Sequence, residues 1–460
     1  MKKLKVYKST MILVFTCSLF AQEDFEKWLK EQEKSKQEVF DNEISQFQNY
    51  VVEVTAQYEA YEEQEAKEFE DFKNAVEQKW QNFKAPSQKE FVDYDDDLNS
   101  RSSVDFENGE IVVEVIIEDD EPDNTNKEVR SKAKETVIER RKKEVKKPKA
   151  ETFQERWERE NKEQILSKNK KKEVENSKEN FKQKPMNVSR TKIEGSTQNN
   201  ARKKIENKIS KLIKTKADNG KPLLQGQISD KKGKLVNESN VYSFAQELLK
   251  EKPLVKKTYK ANDGKKRTVY TLKIPMKTDH ISTRAKQFRE EVLKQSKRFN
   301  IDPTIAFAVM ETESAFNTKA KSHIPAFGLM QLVPRSGARD AYLYVYKKDK
   351  FVDDEYLYIP SNNVELGCAY IAMIRYKYFK SIIDDERAYI CVIPAYNTGI
   401  GNVAKALTNT TKLKPAAEKA NSMTAEKLYS TLKKDLEHKE ARDYLERVWS
   451  RKDKYSKLIK

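Results

Sequence analysis

Apolar residues fall along this chain in several distinct rhythms. Between residue 22 and about 90, aromatics such as Trp28, Phe40, Phe47, Tyr58, Phe69 and Trp80 stand at wide intervals among Glu, Lys and Gln, with almost no Gly or Pro. That spacing predicts helix, one long or two paired, with a thin apolar stripe. Over 103–117 the period changes to two. Val104 and Phe106 alternate with polar neighbours, Asn108-Gly109 offers a turn, and Ile111, Val113, Val115 and Ile117 alternate on the return. This predicts a β-hairpin. From about 121 to 215 Lys, Glu and Asn dominate and apolar residues are few. Such a tract buries too little surface to offset its ordering entropy, so a disordered or loosely helical insertion is expected.

Structure is expected to resume near Pro222. Leu223 to Ile228, a turn at Gly233 and Leu235-Val236 predict a second hairpin, Tyr242 to Leu249 a short helix, and Val269 to Ile274 a strand. From 281 onward the spacing is helical, with Gly- and Pro-containing loops. The expected class is therefore α+β: a mainly helical C-terminal domain (281–460) preceded by a small α+β domain in two pieces (22–120, with the helical segment, and 216–280) around the charged low-complexity insertion (121–215).

Residues 1–21 read as an export signal. Lys2, Lys3, Lys5 and Lys8 precede the apolar run that starts at Met11, and Ala21 offers a small cleavage residue. The run is short for a membrane span, which takes about 20 apolar residues. Val14-Phe15-Thr16-Cys17 faintly resembles a lipobox. Cleavage after Ala21 and a lipid anchor on Cys17 both stay open.

Composition narrows the picture. Only 37% of residues are hydrophobic and 36% are charged, too polar for one core spanning 460 residues. The net charge of +16 raises the question of nucleic acid. Lys and Glu are interspersed, however, as on solvated helix faces, and export separates the chain from cytoplasmic nucleic acid. An anionic polymer such as the cell wall suits the charge better. Cys368 and Cys391 sit in apolar runs, where buried thiols are expected, although an exported chain could pair them. His280, His323 and His438 are scattered, and no spacing suggests a metal site or a cofactor.

The chemistry concentrates after Asp302-Pro303, an N-cap acceptor followed by Pro at the first helical position. Ile305, Val309 and Glu313 then recur at i, i+4 and i+8, so Glu313 ends an apolar face. Glu311, two positions earlier, is expected to face solvent. A carboxyl beside apolar groups has its charged form disfavoured, which suits a general acid near neutral pH. Helix geometry alone equally allows a boundary glutamate satisfied by a cap or a lysine.

Glu313-Ser314-Ala315-Phe316-Asn317 is followed by Ala320, Ser322, then Phe327-Gly328-Leu329-Met330-Gln331, and later by Ala395-Tyr396-Asn397. Glu-Ser, Gly-Leu-Met-Gln and Ala-Tyr-Asn motifs in this order resemble the soluble lytic transglycosylase family, which has a lysozyme-like catalytic domain. The hairpin at 103–117, the region 223–274 and the run Tyr429 to Tyr455 are further similar to membrane-bound lytic murein transglycosylases of the C type, lipoproteins of the outer membrane facing the periplasm. The resemblance implies that Glu313 is the single catalytic acid/base. It implies that Ser322, Gly328, Met330, Gln331, Tyr396, Asn397 and, more loosely, Glu440 bind or shape the site for peptidoglycan glycan strands, with Met330 as an apolar wall. Ile324-Pro325, Phe327 and Thr398 depart from the family pattern without removing a catalytic group.

Typical glycosidases use two carboxylates. The resemblance implies a route with one: Glu313 protonates the bond between N-acetylmuramic acid and N-acetylglucosamine, then accepts the proton of the muramyl C6 hydroxyl as that oxygen attacks C1. The expected product has a 1,6-anhydro end. A hydrolytic muramidase on the same fold, and a non-catalytic wall-binding protein, are the alternatives.

Overall fold

The computed structural model describes residues 66–118, 190–322 and 325–460, with isolated positions between 56 and 64. The expected leader, Cys17, His323, Ile324 and most of the expected insertion lie outside the described residues.

Five antiparallel strands form one sheet in the order β1-β2-β3-β5-β4. They are β1 (Glu90–Tyr94), β2 (Ser100–Asp105), β3 (Glu110–Glu118), β4 (Val255–Lys260) and β5 (Lys266–Pro275). The expected 103–117 hairpin is the β2–β3 pair, in register Val104↔Ile111. Gly109 takes φ +71° in its turn, where a Cβ would lie 2.7 Å from the His280 ring. Both the conformation and the close approach require glycine there.

Alternation on β3 divides its side chains between two layers. Ile111, Val113, Val115 and Ile117 join a core with Ile205, Ile209, Leu224, Val241 and Phe244, whereas Ile116 joins Val76, Trp80, Tyr259 and Val269 on the opposite face. Residues 66–79 are helical and lead into Trp80.

The structure differs from expectation in three places here. The tract expected to be an insertion as far as 215 ends in a 25-residue helix, α1 (Arg190–Lys214), whose Ala201, Ile205, Ile209, Leu212 and Ile213 are buried against the sheet. Lys208 is also buried on it, between Asp93 at 2.7 Å and Asp95 at 2.8 Å. The hairpin expected at 223–236 is a series of turns with a single bridge, Ser229↔Leu235, held by glycines at positive φ. The unexpected strand β4 is a Lys-rich sheet edge with Tyr259 as its one buried residue. Lysines on an edge hinder further strand pairing, and they also hide the strand from a hydrophobic-pattern search. The expected short helix is α2 (Val241–Glu251).

From His280 the chain is helical. A second core gathers α3 (His280–Gln287), α4 (Arg289–Phe299), α5 (Pro303–Ser314) and the helices that follow. Those used below are α6 (Arg339–Tyr346), α7 (Asp354–Tyr358), α8 (Pro360–Met373), α9 (Asp385–Thr398), α10 (Ile400–Thr408), α11 (Leu413–Asn421), α12 (Ala425–Asp435) and α13 (Lys439–Arg451). Cys368 and Cys391 are buried, unpaired thiols, and burial pushes Cys391 up to about 12. No helix among the described residues is long and apolar enough to cross a membrane.

Candidate active site

The helix α5 begins as its sequence predicts. Asp302 caps it by accepting from Thr304 N at 2.8 Å, and Pro303 occupies the first turn. It ends at Ala315, with φ +48°, followed by Phe316 with φ +60°. Every residue from Thr304 to Ser314 is buried, so α5 has no solvent face. This overturns the expectation for Glu311. That residue is 4% exposed. It accepts from Tyr455 Oη and is paired with Lys454, and with Arg451 at 3.6 Å. The helix phase does separate it from Glu313, but the C-terminal segment covers the second face too.

Glu313 is 9% exposed. Tyr444 of α13 donates its hydroxyl to Glu313 Oε1 at 2.7 Å. Burial raises the carboxyl from 4.5 to about 7, working against the Tyr444 hydrogen bond and the positive charges of Arg447 and Lys89, while the negative charge of Glu440 adds to the rise. Desolvation thus outweighs two cations and a phenol. Tyr444 was not among the expected site residues. It lies four positions after Glu440, on the same face of an amphipathic helix, and that spacing was the available signal.

The motif after Glu313 is tied to it through Ser314, whose hydroxyl donates to Met310 O at 3.0 Å and Leu329 O at 2.8 Å. The Gly328–Gln331 turn is therefore fastened to the end of α5. Gly328 has φ +73°, and a Cβ there would lie 2.4 Å from Asn363 Nδ2 and 2.5 Å from Leu357 O. Asn363, fully buried on α8, accepts from Met330 N at 2.8 Å and donates to Phe327 O and Leu357 O at 2.9 Å. It organises the turn, and sequence motifs gave no sign of it.

Met330 is fully buried. A Cβ on Gly367 would meet its Sδ at 2.1 Å, so its side chain supports the turn from beneath and is not the apolar wall of the groove that the resemblance implied. Tyr396 donates to Met330 O at 2.8 Å. Its hydroxyl is raised well above 10 by burial and by the nearby Glu313 charge. Gln331 Nε2 donates to Gly328 O at 2.9 Å and Ala320 O at 3.2 Å, and its buried Oε1 has no partner. Asn397 Nδ2 reaches the exposed Glu440 Oε1 at 3.4 Å. Ser322 Oγ accepts from Ala326 N at 3.1 Å, closing the loop before the turn. The fold thus gathers Glu313, Met330, Gln331, Tyr396 and the Asn397–Glu440 pair around the end of α5, with Ser322 at the edge.

A proton held near pH 7 by burial, on a carboxyl reached from α9 and α13, is what acid-catalysed bond cleavage needs. Family comparison agrees with the motif order. Residues 290–418 match the Transglycosylase SLT domain. Residues 58–139 match the N-terminal domain of membrane-bound lytic murein transglycosylase C. Among curated relatives, membrane-bound lytic murein transglycosylase C of Haemophilus ducreyi is 34% identical over 236 residues, 51% of this chain and 62% of that protein. The protein of the same name from Actinobacillus pleuropneumoniae (serotype 5b) is 35% identical over the same shares. The match thus spans under two thirds of these relatives' length. Among solved structures, the 70 kDa soluble lytic transglycosylase from Escherichia coli is 21% identical, covering 37% of this chain and 24% of that one with a TM-score of 0.29. Glu440, Tyr444, Arg451 and Tyr455 all lie beyond the C-terminal end of the matched SLT domain.

Proposed function

We propose that this chain is a peptidoglycan lytic transglycosylase. It cleaves the β-1,4 bond from N-acetylmuramic acid to N-acetylglucosamine without water and leaves 1,6-anhydro-N-acetylmuramic acid ends. The observation that carries the reading is Glu313: buried, pushed up to about 7 and bonded to Tyr444, at the head of motifs shared with lytic transglycosylases.

In this mechanism the protonated Glu313 gives its proton to the glycosidic oxygen as the C1–O bond breaks, releasing the glucosamine 4-hydroxyl. The muramyl 2-acetamido group shares the positive charge at C1. Glu313, now a carboxylate, takes the proton of the C6 hydroxyl as O6 bonds to C1. The proton count closes and no water is consumed. Tyr444 steadies the carboxylate phase by donating to it. Ser322, Gly328, Gln331, Tyr396, Asn397 and Glu440 hold or shape the groove for the muramyl ring, and the buried Met330 supports the Gly328–Gln331 turn beneath it. The partner is the glycan strand of the sacculus. The relatives are named membrane-bound, which supports membrane association; together with the export signal read in residues 1–21 this gives a periplasmic enzyme, held at the outer membrane if Cys17 carries lipid.

Mass spectrometry of sacculus digests tests this. Anhydro-ended muropeptides from the wild-type chain are expected. Products heavier by one water would assign a hydrolytic muramidase, and binding without cleavage would assign a wall-binding protein.

A further inference from the structure

Two consecutive residues at the tip of the β2–β3 hairpin each hold an arginine that grips the end of α5. Arg284 is 2% exposed. It donates to Phe106 O through Nη2, to Gln227 Oε1 through Nη1 at 2.6 Å, and to Ala315 O through Nε at 2.9 Å. Its guanidinium lies 4.8 Å from the Phe106 ring centre. Ala315, the residue that ends α5, packs in the core of the sheet rather than that of the helices. Arg451 stands 3.5 Å from Glu107 Oε1, donates to Thr312 Oγ1 at 3.1 Å, and lies 3.6 Å from Glu311 Oε1. The contacts therefore fall on residues 311, 312 and 315, either side of Glu313.

Two further links join the same stretch to the sheet unit. Asn317 Nδ2 donates to Gln88 O at 3.3 Å, and Lys319 is paired with Asp218 at 2.8 Å.

We propose that the β2–β3 hairpin tip is a positioning device for Glu313: Phe106 through Arg284, and Glu107 through Arg451, fix the last turn of α5 from both sides and thereby aim its carboxyl. The proposal rests on Glu313 being the acid. The sheet unit is then part of the catalytic apparatus without touching substrate. A displacement of about 1 Å at a reacting group costs on the order of 10²-fold in rate, so a brace confined to this turn has a catalytic consequence.

The test uses the full chain with Glu107→Gln, Arg451→Gln, Arg451→Lys and the double variant Glu107→Gln/Arg451→Gln. Three quantities are read: the melting temperature, kcat and KM on glycan strands, and the titration of Glu313 by carboxyl NMR. Arg451→Gln should lower kcat by about 10- to 10²-fold with KM nearly unchanged, and the double variant should lose less than the product of the two single losses, because the two residues share a path to the turn. The Glu313 midpoint should fall from about 7 as water reaches a loosened carboxyl. The other groups facing it are Tyr444, Arg447 and Glu440 from α13, Tyr396 from α9, and Lys89. Lys89 pairs with Glu107 at 2.5 Å, so Glu107→Gln also releases a cation beside Glu313. Arg451→Gln leaves that pair in place and is the deciding variant, and Arg451→Lys replaces it if the glutamine variant does not fold.

A folded Arg451 variant with wild-type kcat and an unmoved Glu313 midpoint overturns the brace, as does a loss carried entirely by KM. If the wild-type chain yields no anhydro product while the midpoint still moves, the brace stands and the assigned reaction fails.

Discussion

Replacing Glu313 by Gln should abolish cleavage and at the same time stabilise the fold. The carboxyl rises from an ordinary 4.5 to about 7 in the folded chain because burial penalises its charge. The folded state therefore holds this proton more tightly than the unfolded state does. Between pH 4.5 and 7 stability falls as pH rises, and above 7 the whole cost is present. At about 1.4 kcal/mol per pKa unit, the shift amounts to about 3 kcal/mol. Glutamine keeps the shape, still accepts from Tyr444 through its carbonyl oxygen, and carries no charge to desolvate. The comparison is urea denaturation of wild type and Glu313→Gln from pH 4 to 8. Their stabilities should be close at pH 4, diverge through the interval, and differ by about 3 kcal/mol at pH 8, with the variant more stable. A gap independent of pH, or a variant less stable than wild type at pH 8, would refute the argument that burial sets this proton. Muropeptide release by Glu313→Gln at more than a trace would remove the residue from catalysis.

Tyr444→Phe removes a hydrogen bond that favours the carboxylate, so Glu313 should titrate above its present value of about 7. A bond to a charged group is worth about 1.5–3 kcal/mol net, or roughly 1–2 pKa units. The alkaline limb of the kcat/KM profile should move upward by that amount; a limb that stays put or moves down contradicts it. Lys208→Met should destabilise the chain by about 1.5–3 kcal/mol at pH 7, because it removes the buried ammonium bonded to Asp93 and Asp95, which keep Lys211 as their remaining cation. The Lys208 and Lys211 hydrogen bonds hold Asp95 at about 2, against desolvation. That stabilisation is present above the ordinary value of 3.8 and is lost as pH falls toward 2. Urea midpoints at pH 7 and pH 3 should thus separate wild type from variant more at pH 7, and equal separation would count against the ion pairs.

Local signals carried far in this sequence, and long-range ones did not. The β2–β3 hairpin was legible because Asn108-Gly109 supplies its own positive φ, and the start of α5 because Asp302 and Pro303 act within one turn. The three motifs were legible as words, and Ser314 shows why two of them travel together: its hydroxyl binds Leu329 O. Periodicity placed Glu313 and Glu311 on different faces, but it cannot say how many faces are covered, and residues some 140 positions later cover the second. The core stripe of α1 was present at 201, 205, 209 and 212, a helical spacing. It was hidden by the surrounding charge, and by Lys208, which looks like surface until Asp93 and Asp95 are folded against it. Tyr444 and Asn363 are polar residues whose importance lies wholly in a distant partner.

The matched SLT domain ends at residue 418, yet the side chains that enclose Glu313 and set its charge balance come partly from beyond it. Tyr444 bonds the carboxyl, Arg447 and Glu440 set its field, and Arg451, Lys454 and Tyr455 enclose Glu311. Removing that segment would open both carboxylates on α5 to water. The desolvation that holds the Glu313 proton would then disappear and the carboxyl would return toward its ordinary value, deprotonated at neutral pH and unable to act as an acid. On the other side, the hairpin tip fixes the same turn through Phe106 and Glu107. The proposed acid is therefore a property of three chain regions meeting at one helix end: the motifs supply the carboxyl and its turn, the C-terminal helix supplies the dry wall and the phenol, and the sheet supplies the proposed brace.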